Sequence, residues 1–256
     1  NFFRAGASSR TIAKAMSAYD KDFSDAIYGE EVDGRYVTES RLKKMLTHEI
    51  NLVEERLSRE KHPDKLFFSY ANTVATIDFA KQNKGHGWVG IVYQLEPNEA
   101  YNEITLHIRF KENDAKLQQE TLGILGVNLI YGAFYKYNDP KKLLRYLYDH
   151  LDKDQIEVDN INFSGPRFAE VDNRLMSLQL VKNGMTDAVM FGPDGKNILP
   201  ATVLYKKNIL ALRGSFRPVT KVNMDMYEES YNMFIKENKV DKDNTFVVFE
   251  ITLSNL

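Results

Sequence analysis

The sequence predicts an α/β protein whose C-terminal half holds a parallel sheet of the doubly wound kind, preceded by a helical segment and a small antiparallel sheet. Three observations carry that expectation. Apolar residues over 1–60 recur at three- and four-residue spacing, residues 66–110 change to the two-residue alternation of strands, and from Gln155 onward strand-like runs alternate with amphipathic stretches. The last pattern is that of right-handed parallel crossovers, with part of a barrel as the second choice. The expected division is a helical and antiparallel region over 1–110 and an α/β region over 111–256, as two parts or one continuous domain.

The first stretch opens with Ser9 as the cap of a short helix through Ala13 and Met16 that ends near Gly29. Thr38 then caps a longer helix, in which Leu42, Met45, Leu46, Ile50, Val53 and Leu57 form one buried stripe opposite Arg41, Lys43, Lys44, Glu54, Glu55 and Arg59. Strands follow over 66–79, 88–95 and 103–110. The last alternates Ile104, Leu106, Ile108 and Phe110 with Glu103, Thr105, His107 and Arg109, so this unit has one wet face. Its connections are short enough for antiparallel neighbours.

Asp114 caps the next helix, which contains Gly123, Gly126 and Gly132; each costs about 1 kcal/mol relative to Ala, so another element is expected to pack closely there. Asp139-Pro140 starts a second helix in the preferred order of cap followed by Pro. Beyond it strands are expected near 155–163, 187–191, 208–213 and 245–251, with helices near 172–183, 200–207 and 223–238. Asp172 caps the first of these helices and Gly184 ends it. A weak echo relates Asp152-Lys153-Asp154 and Ile161 to Asp241-Lys242-Asp243 and Ile251, and the final apolar strand without a covering helix suggests truncation.

Composition limits the alternatives. A chain of 256 residues with 43% hydrophobic residues can bury a substantial core. Its 34 basic and 36 acidic residues leave a net charge of -2, which provides no global field for nucleic acid. The absence of Cys excludes disulfides, thiolate nucleophiles and Cys-based metal sites. No stretch is long enough for a membrane helix, and Asn1-Phe2-Phe3-Arg4 lacks a signal-peptide core, so no membrane partner is expected and the cytoplasm is the default.

The strongest functional signal is a set of three loops at expected strand ends. They are Ser164-Gly165-Pro166-Arg167, Gly192-Pro193-Asp194-Gly195-Lys196 and Arg213-Gly214-Ser215-Phe216-Arg217. On a parallel sheet these gather at the carboxyl edge, where open α/β sheets bind ligands. Arg167, Arg213 and Arg217 can each hold a phosphate or carboxylate through paired hydrogen bonds, Lys196 adds charge, and the glycines permit close backbone approach. Thr220 adds a capped helix N-terminus, which favours anions. The expected ligand is therefore small, anionic and phosphorylated or nucleotide-like, with Ser164, Gly165, Arg167, Gly195, Lys196, Arg213, Gly214, Ser215 and Arg217 around it. Asp194 and His86 are the candidate catalytic groups, with Glu250 behind Asp194. No metal ligand set is visible, and no cofactor is specified. A homo-oligomer or the remainder of a longer chain is the macromolecular partner left open. The alternative is a non-catalytic interaction domain that meets a partner through residues 1–60 or through the face bearing Thr105, His107 and Arg109.

Gly85-His86-Gly87-Trp88-Val89-Gly90 matches the dinucleotide fingerprint letter for letter but precedes a strand instead of opening a helix, so a glycine-rich turn is the plainer reading. His86 and His107 each carry the chemistry of a general acid or base, although spacing supplies neither with a partner.

The strings Phe67 to Val74, Gly85-His86-Gly87-Trp88, Gln118-Gln119, Leu122 to Tyr131, Val171 to Leu175 and Leu212 to Asn223 resemble those of an uncharacterised bacterial family of Bacteroidetes and cyanobacteria. The resemblance spans the chain, and members of the family are longer. They often carry the labels nicotinate-nucleotide adenylyltransferase or TonB-dependent receptor. The first label implies a nucleotide-linked transferase, but its H-x-G-H signature is matched only by Lys84-Gly85-His86-Gly87, with one His. The second implies a membrane barrel, for which the chain has no room.

Overall fold

A computed structural model describes residues 3, 6 and 8–255, so Asn1, Phe2 and Arg4 of the opening string lie outside it. The chain divides into two compact units, Asn1–Ala188 and Val189–Leu256. The expected division at residue 110 falls inside the first.

In the first unit the stretch expected to be a helix capped by Ser9 is turn and coil. The helix α1 covers Lys21–Tyr28 instead, because Asp20 accepts the Phe23 N–H and supplies the cap. Helix α2, Glu39–Arg56, starts where Thr38 accepts the Arg41 N–H, and it buries Leu42, Leu46 and Ile50. Strands β1 (Phe68–Ala75), β2 (His86–Tyr93) and β3 (Asn102–Phe110) form an antiparallel meander. Helices α3 (Ala115–Tyr135) and α4 (Pro140–Tyr146) follow, each capped by the aspartate the sequence indicates, and lead to β4 (Ile156–Ser164) and α5 (Asn173–Lys182).

Strand β4 contradicts the expected parallel sheet. It pairs antiparallel with β3, with Ile156 opposite Phe110 and Ser164 opposite Glu103, to complete a sheet of order β1-β2-β3-β4. The cause is the crossover. A single helix returns the chain to the far edge of a sheet and yields a parallel strand. Here α3 and α4 form a helix pair, which brings the chain back to the edge it left, so β4 begins beside the end of β3.

The two faces of this sheet differ. Val89, Ile91, Tyr93, Ile104, Leu106, Ile108 and Phe110, with Ile156, Val158, Ile161 and Phe163 of β4, form one core with Leu125, Leu129 and Ala133 of α3 and Leu143 and Leu144 of α4. Gly126 allows α3 to approach, since a Cβ there would lie 2.6 Å from the Tyr70 hydroxyl. On the other face α2 lies over β1 and β2: the Ser69 hydroxyl donates to the Leu46 carbonyl, and Leu42 and Leu46 stand over Gly90. Opposed residues of antiparallel strands share a face. This second face therefore continues from Trp88 and Gly90 through Thr105 and His107 to Asn160 and Asn162.

In the second unit β5 (Met190–Phe191) and β6 (Asn197–Ile198) form a minimal antiparallel hairpin, followed by the single-turn helix α6 (Pro200–Val203). Strand β7 (Asn208–Arg213), helix α7 (Lys221–Phe234) and β8 (Thr245–Glu250) make one parallel unit of two strands. Among the described residues this is the whole extent of parallel pairing, so no extended doubly wound sheet exists. Among the described residues, no helix is long and apolar enough to cross a membrane.

Candidate functional site

The three basic loops do not share one sheet edge. Ser164, Gly165 and Arg167 belong to the first unit, at the end of an antiparallel strand. Gly165 has φ 104 and no room for a side chain, since a Cβ would lie 2.6 Å from the Tyr101 carbonyl oxygen. The Arg167 N–H donates to Asn102 Oδ1, and its guanidinium bonds Glu96 at 2.6 Å and Glu99 at 2.8 Å. Burial alone would raise the Glu99 carboxyl, but hydrogen bonds from Arg167, the Leu95 N–H and Asn102 hold it below the usual range. Arg167 thus fastens one loop to another.

The other loops lie in the second unit. Gly192 to Lys196 is the turn of the β5-β6 hairpin, with Gly195 at φ 76. The Lys196 N–H donates to Asp194 Oδ1, and this bond first of all holds the Asp194 carboxyl below its ordinary value; Lys196 Nζ stands 3.4 Å from the same carboxylate. Arg213 lies opposite Glu250 across the parallel pair and bonds it at 2.7 Å. Gly214 donates its N–H to the Glu250 carbonyl, while Ser215 and Arg217 are exposed. The charges of Arg167, Arg213 and Asp194 are each met by a neighbour.

His86 has a different setting. Its Nδ1 is 3.3 Å from His107 Nε2, and His107 Nδ1 is 2.6 Å from Asp159 Oδ1. Sequence alternation had placed His107 on the polar face, yet nothing in the spacing joined it to a residue 52 positions away. The β3-β4 register makes the connection. His107 faces Asn160 while Ile108 faces Val158, so Asp159 is one residue too many on β4, a bulge. Bulges re-aim side chains, and this one brings the Asp159 carboxylate to the imidazole.

The inner end of this chain is dry. His107 is 2% exposed and Asp159 9%, and the Trp88 ring meets the His107 ring edge-on at 5.1 Å. Thr105, two residues before His107 on the same face, is 1% exposed, and among the described residues its hydroxyl has no hydrogen-bond partner. His86 is half-buried. Burial first, then His107 and Arg109, push its imidazole below the ordinary value, and Asp159 partly offsets them.

An ionised carboxylate can only accept, so His107 donates from Nδ1, and in its neutral form it accepts at Nε2. His86 then donates from Nδ1, and its Nε2 is left as a base. A proton taken up there can pass along the two rings toward Asp159. Arg109 stands directly opposite His86 on β3, is exposed, and among the described residues its guanidinium has no ion-pair or hydrogen-bond partner. Glu157, on the other side of Arg109, accepts from the Thr186 hydroxyl at 2.7 Å.

The glycines of Gly85-His86-Gly87-Trp88-Val89-Gly90 serve packing. A Cβ on Gly87 would meet the Thr73 carbonyl oxygen at 2.6 Å and Val74 Cα at 2.7 Å, and one on Gly85 would meet Gln118 at 2.6 Å. Gln118 in turn accepts the Ile77 N–H, tying the loop before His86 to α3. Among the described residues no group of three or more His, Asp or Glu side chains is arranged to hold a metal ion.

No protein-family model matches the chain, and comparison with curated proteins and with solved structures finds no match.

Proposed function

We propose that the first unit is an acid–base centre that binds a small anionic ligand against β2 and β3 and moves a proton at His86 Nε2. The observation that carries this reading is the hydrogen-bonded series His86, His107, Asp159, whose inner members are 2% and 9% exposed. A buried carboxylate aligned on an imidazole fixes its tautomer and stabilises its protonated form. The outer imidazole, pushed below its ordinary value, is ready as a base at neutral pH. The anionic ligand expected from the sequence is kept, but its anchor changes: Arg167 and Arg213 are already paired, whereas Arg109 is uncommitted and beside His86.

The interaction-domain alternative has less support. Of the face formed by Thr105, His107 and Arg109, only Arg109 is exposed, and within residues 1–60 the apolar stripe of α2 is spent on the sheet.

Bromoacetate tests the proposal. The neutral imidazole attacks its methylene carbon and expels bromide, and the chain has no Cys to compete. His86 should be alkylated on the order of tenfold faster by bromoacetate than by neutral bromoacetamide, after correction for their intrinsic reactivities, and Arg109→Gln should remove the difference. Equal corrected rates in the parent protein would overturn the anionic ligand, and an unreactive His86 would overturn the base.

A further inference from the structure

Away from that sheet face, where α3 ends and α4 begins, the first unit carries a second arrangement that the acid–base centre does not use. The Tyr131 ring lies 4.7 Å from Tyr135 at 31° and 4.9 Å from Tyr146 at 32°, so three tyrosines form a loosely stacked platform. Tyr131 is 40% exposed and Tyr135 67%. The stack is stabilising in itself, and its outer rings leave π-faces that a ligand can use.

Beside the platform is a cleft of about 430 Å³ lined by Lys136, Lys142, Arg145, Tyr146, Tyr148 and Asp149. Its size is that of a small-molecule site. A second cleft of about 680 Å³ shares Arg145 and Tyr148 with it. Lys136 Nζ is 5.9 Å from the Tyr131 ring centre, and Lys142 reaches Asp139 only at 3.6 Å. Arg145 is exposed, and among the described residues its guanidinium has no ion-pair or hydrogen-bond partner. Asp149 is the one carboxylate in the lining, and burial followed by that carboxylate raises the Tyr146 hydroxyl above its ordinary value.

We infer that this cleft is a binding site for a nucleoside monophosphate, with the base stacked on Tyr146 and the phosphate held by Arg145, Lys136 and Lys142. Three cations against Asp149 in the lining and Asp139 beside Lys142 leave one net positive charge, and Arg145, unpaired among the described residues, is the cation placed to meet a phosphate. Aromatic stacking accepts any base because every base has a π-face. The guanidinium fork supplies directed phosphate bonds. A nucleic-acid strand would present the same chemistry, but the chain's net charge of -2 gives no long-range attraction for one. The free nucleotide is therefore the occupant proposed. The site is independent of His86 and stands or falls without it.

Isothermal titration of the full chain with AMP tests the inference, with adenosine, inorganic phosphate and a short oligoadenylate as comparison ligands. AMP is expected to saturate a single site, and adenosine and phosphate alone each to bind at least about tenfold more weakly, because each keeps only half of the recognition. Arg145→Gln, a change at an exposed side chain, and Tyr146→Leu, which removes the ring but keeps an apolar side chain, should each weaken AMP by about fivefold or more. AMP that fails to bind, or that binds Arg145→Gln as well as the parent protein, overturns the inference. An oligoadenylate that binds about tenfold or more tighter than AMP overturns the choice of a free nucleotide.

Discussion

His107 and Asp159 meet at 2.6 Å because β4 holds one more residue than β3 can pair. Without the bulge, regular alternation would put one of Asp159 and Asn160 on the core side of the sheet. The extra residue instead keeps Val158 and Ile161 in the core while Asp159 reaches the imidazole. Register irregularity, local twist and buried polarity thus coincide at one point of the sheet.

Replacing Asp159 by Ala leaves a buried imidazole nitrogen without its acceptor. The expected loss is about 2 kcal/mol, the range of a hydrogen bond to a charged group. Urea unfolding measures it, and a loss below a few tenths would show that the contact contributes nothing to the fold.

Stability should fall as the pH drops below about 6.5, the ordinary imidazole value. The folded protein depresses the His86 value, so the unfolded chain takes up a proton that the native state resists. The contribution is complete above the unfolded value and is lost between it and the lower folded one. Glu103 acts oppositely at lower pH, because burial raises its carboxyl and so favours the fold while that group is protonated. Comparison of the parent with His86→Gln isolates the imidazole. The variant should show a shallower slope of stability against pH just below about 6.5, and identical slopes would refute the assignment.

Gly87→Ala should destabilise the sheet by about 1–3 kcal/mol, the cost of overpacking. The atoms an added methyl meets at 2.6 and 2.7 Å are backbone atoms of β1, which cannot swing aside. Gly90→Ala meets the ends of Leu42 and Leu46 at 3.0 Å and the Ile104 carbonyl oxygen at 3.2 Å, looser contacts than those at Gly87, and should cost less. Melting temperatures of the two variants give the order directly.

Arg41 fastens the segment around α1 to α2. Its side chain is 2% exposed, donates to Ser24 and to the Gly29 carbonyl, and faces Glu31 at 3.3 Å and Asp25 at 3.6 Å. Arg41→Met removes the buried member of this cluster while Lys21 and Tyr36 still hold Asp25 and Lys44 still holds Glu31, and it should cost about 1–3 kcal/mol. Limited proteolysis should then cut near Gly29 before the sheet unfolds, and unchanged resistance there would contradict the clamp.

Much of the local structure is legible in the sequence because it rests on local chemistry. Thr38, Asp114, Asp139-Pro140 and Asp172 all cap the helices their positions indicate; the alternation of β3 separates its two faces, but the polar one is not the wet face expected, since Thr105 and His107 are buried. Strand direction is not local. Alternating strands and helices suggest parallel crossovers, but the paired helices α3 and α4 return the chain to the edge it left, and β4 turns antiparallel. The expected convergence of the three basic loops rests on an extended parallel sheet, which the described residues do not form. His86 is legible as a candidate base and His107 as a residue on the polar face with Arg109, but the sequence does not join the two. Asp159 was missed, although the three-residue gap between Val158 and Ile161 in an otherwise alternating strand is the mark of a bulge.

Nitrogen NMR of the histidine rings tests the central claim most directly. In the parent protein the neutral form of His107 should be the tautomer protonated at Nδ1, and His86 should titrate below the ordinary imidazole value. In Asp159→Asn the amide can donate as well as accept, so the His107 tautomer should lose its bias and the His86 titration should move. A His107 ring with no tautomer preference in the parent, or a His86 titration indifferent to Asp159, would contradict the account.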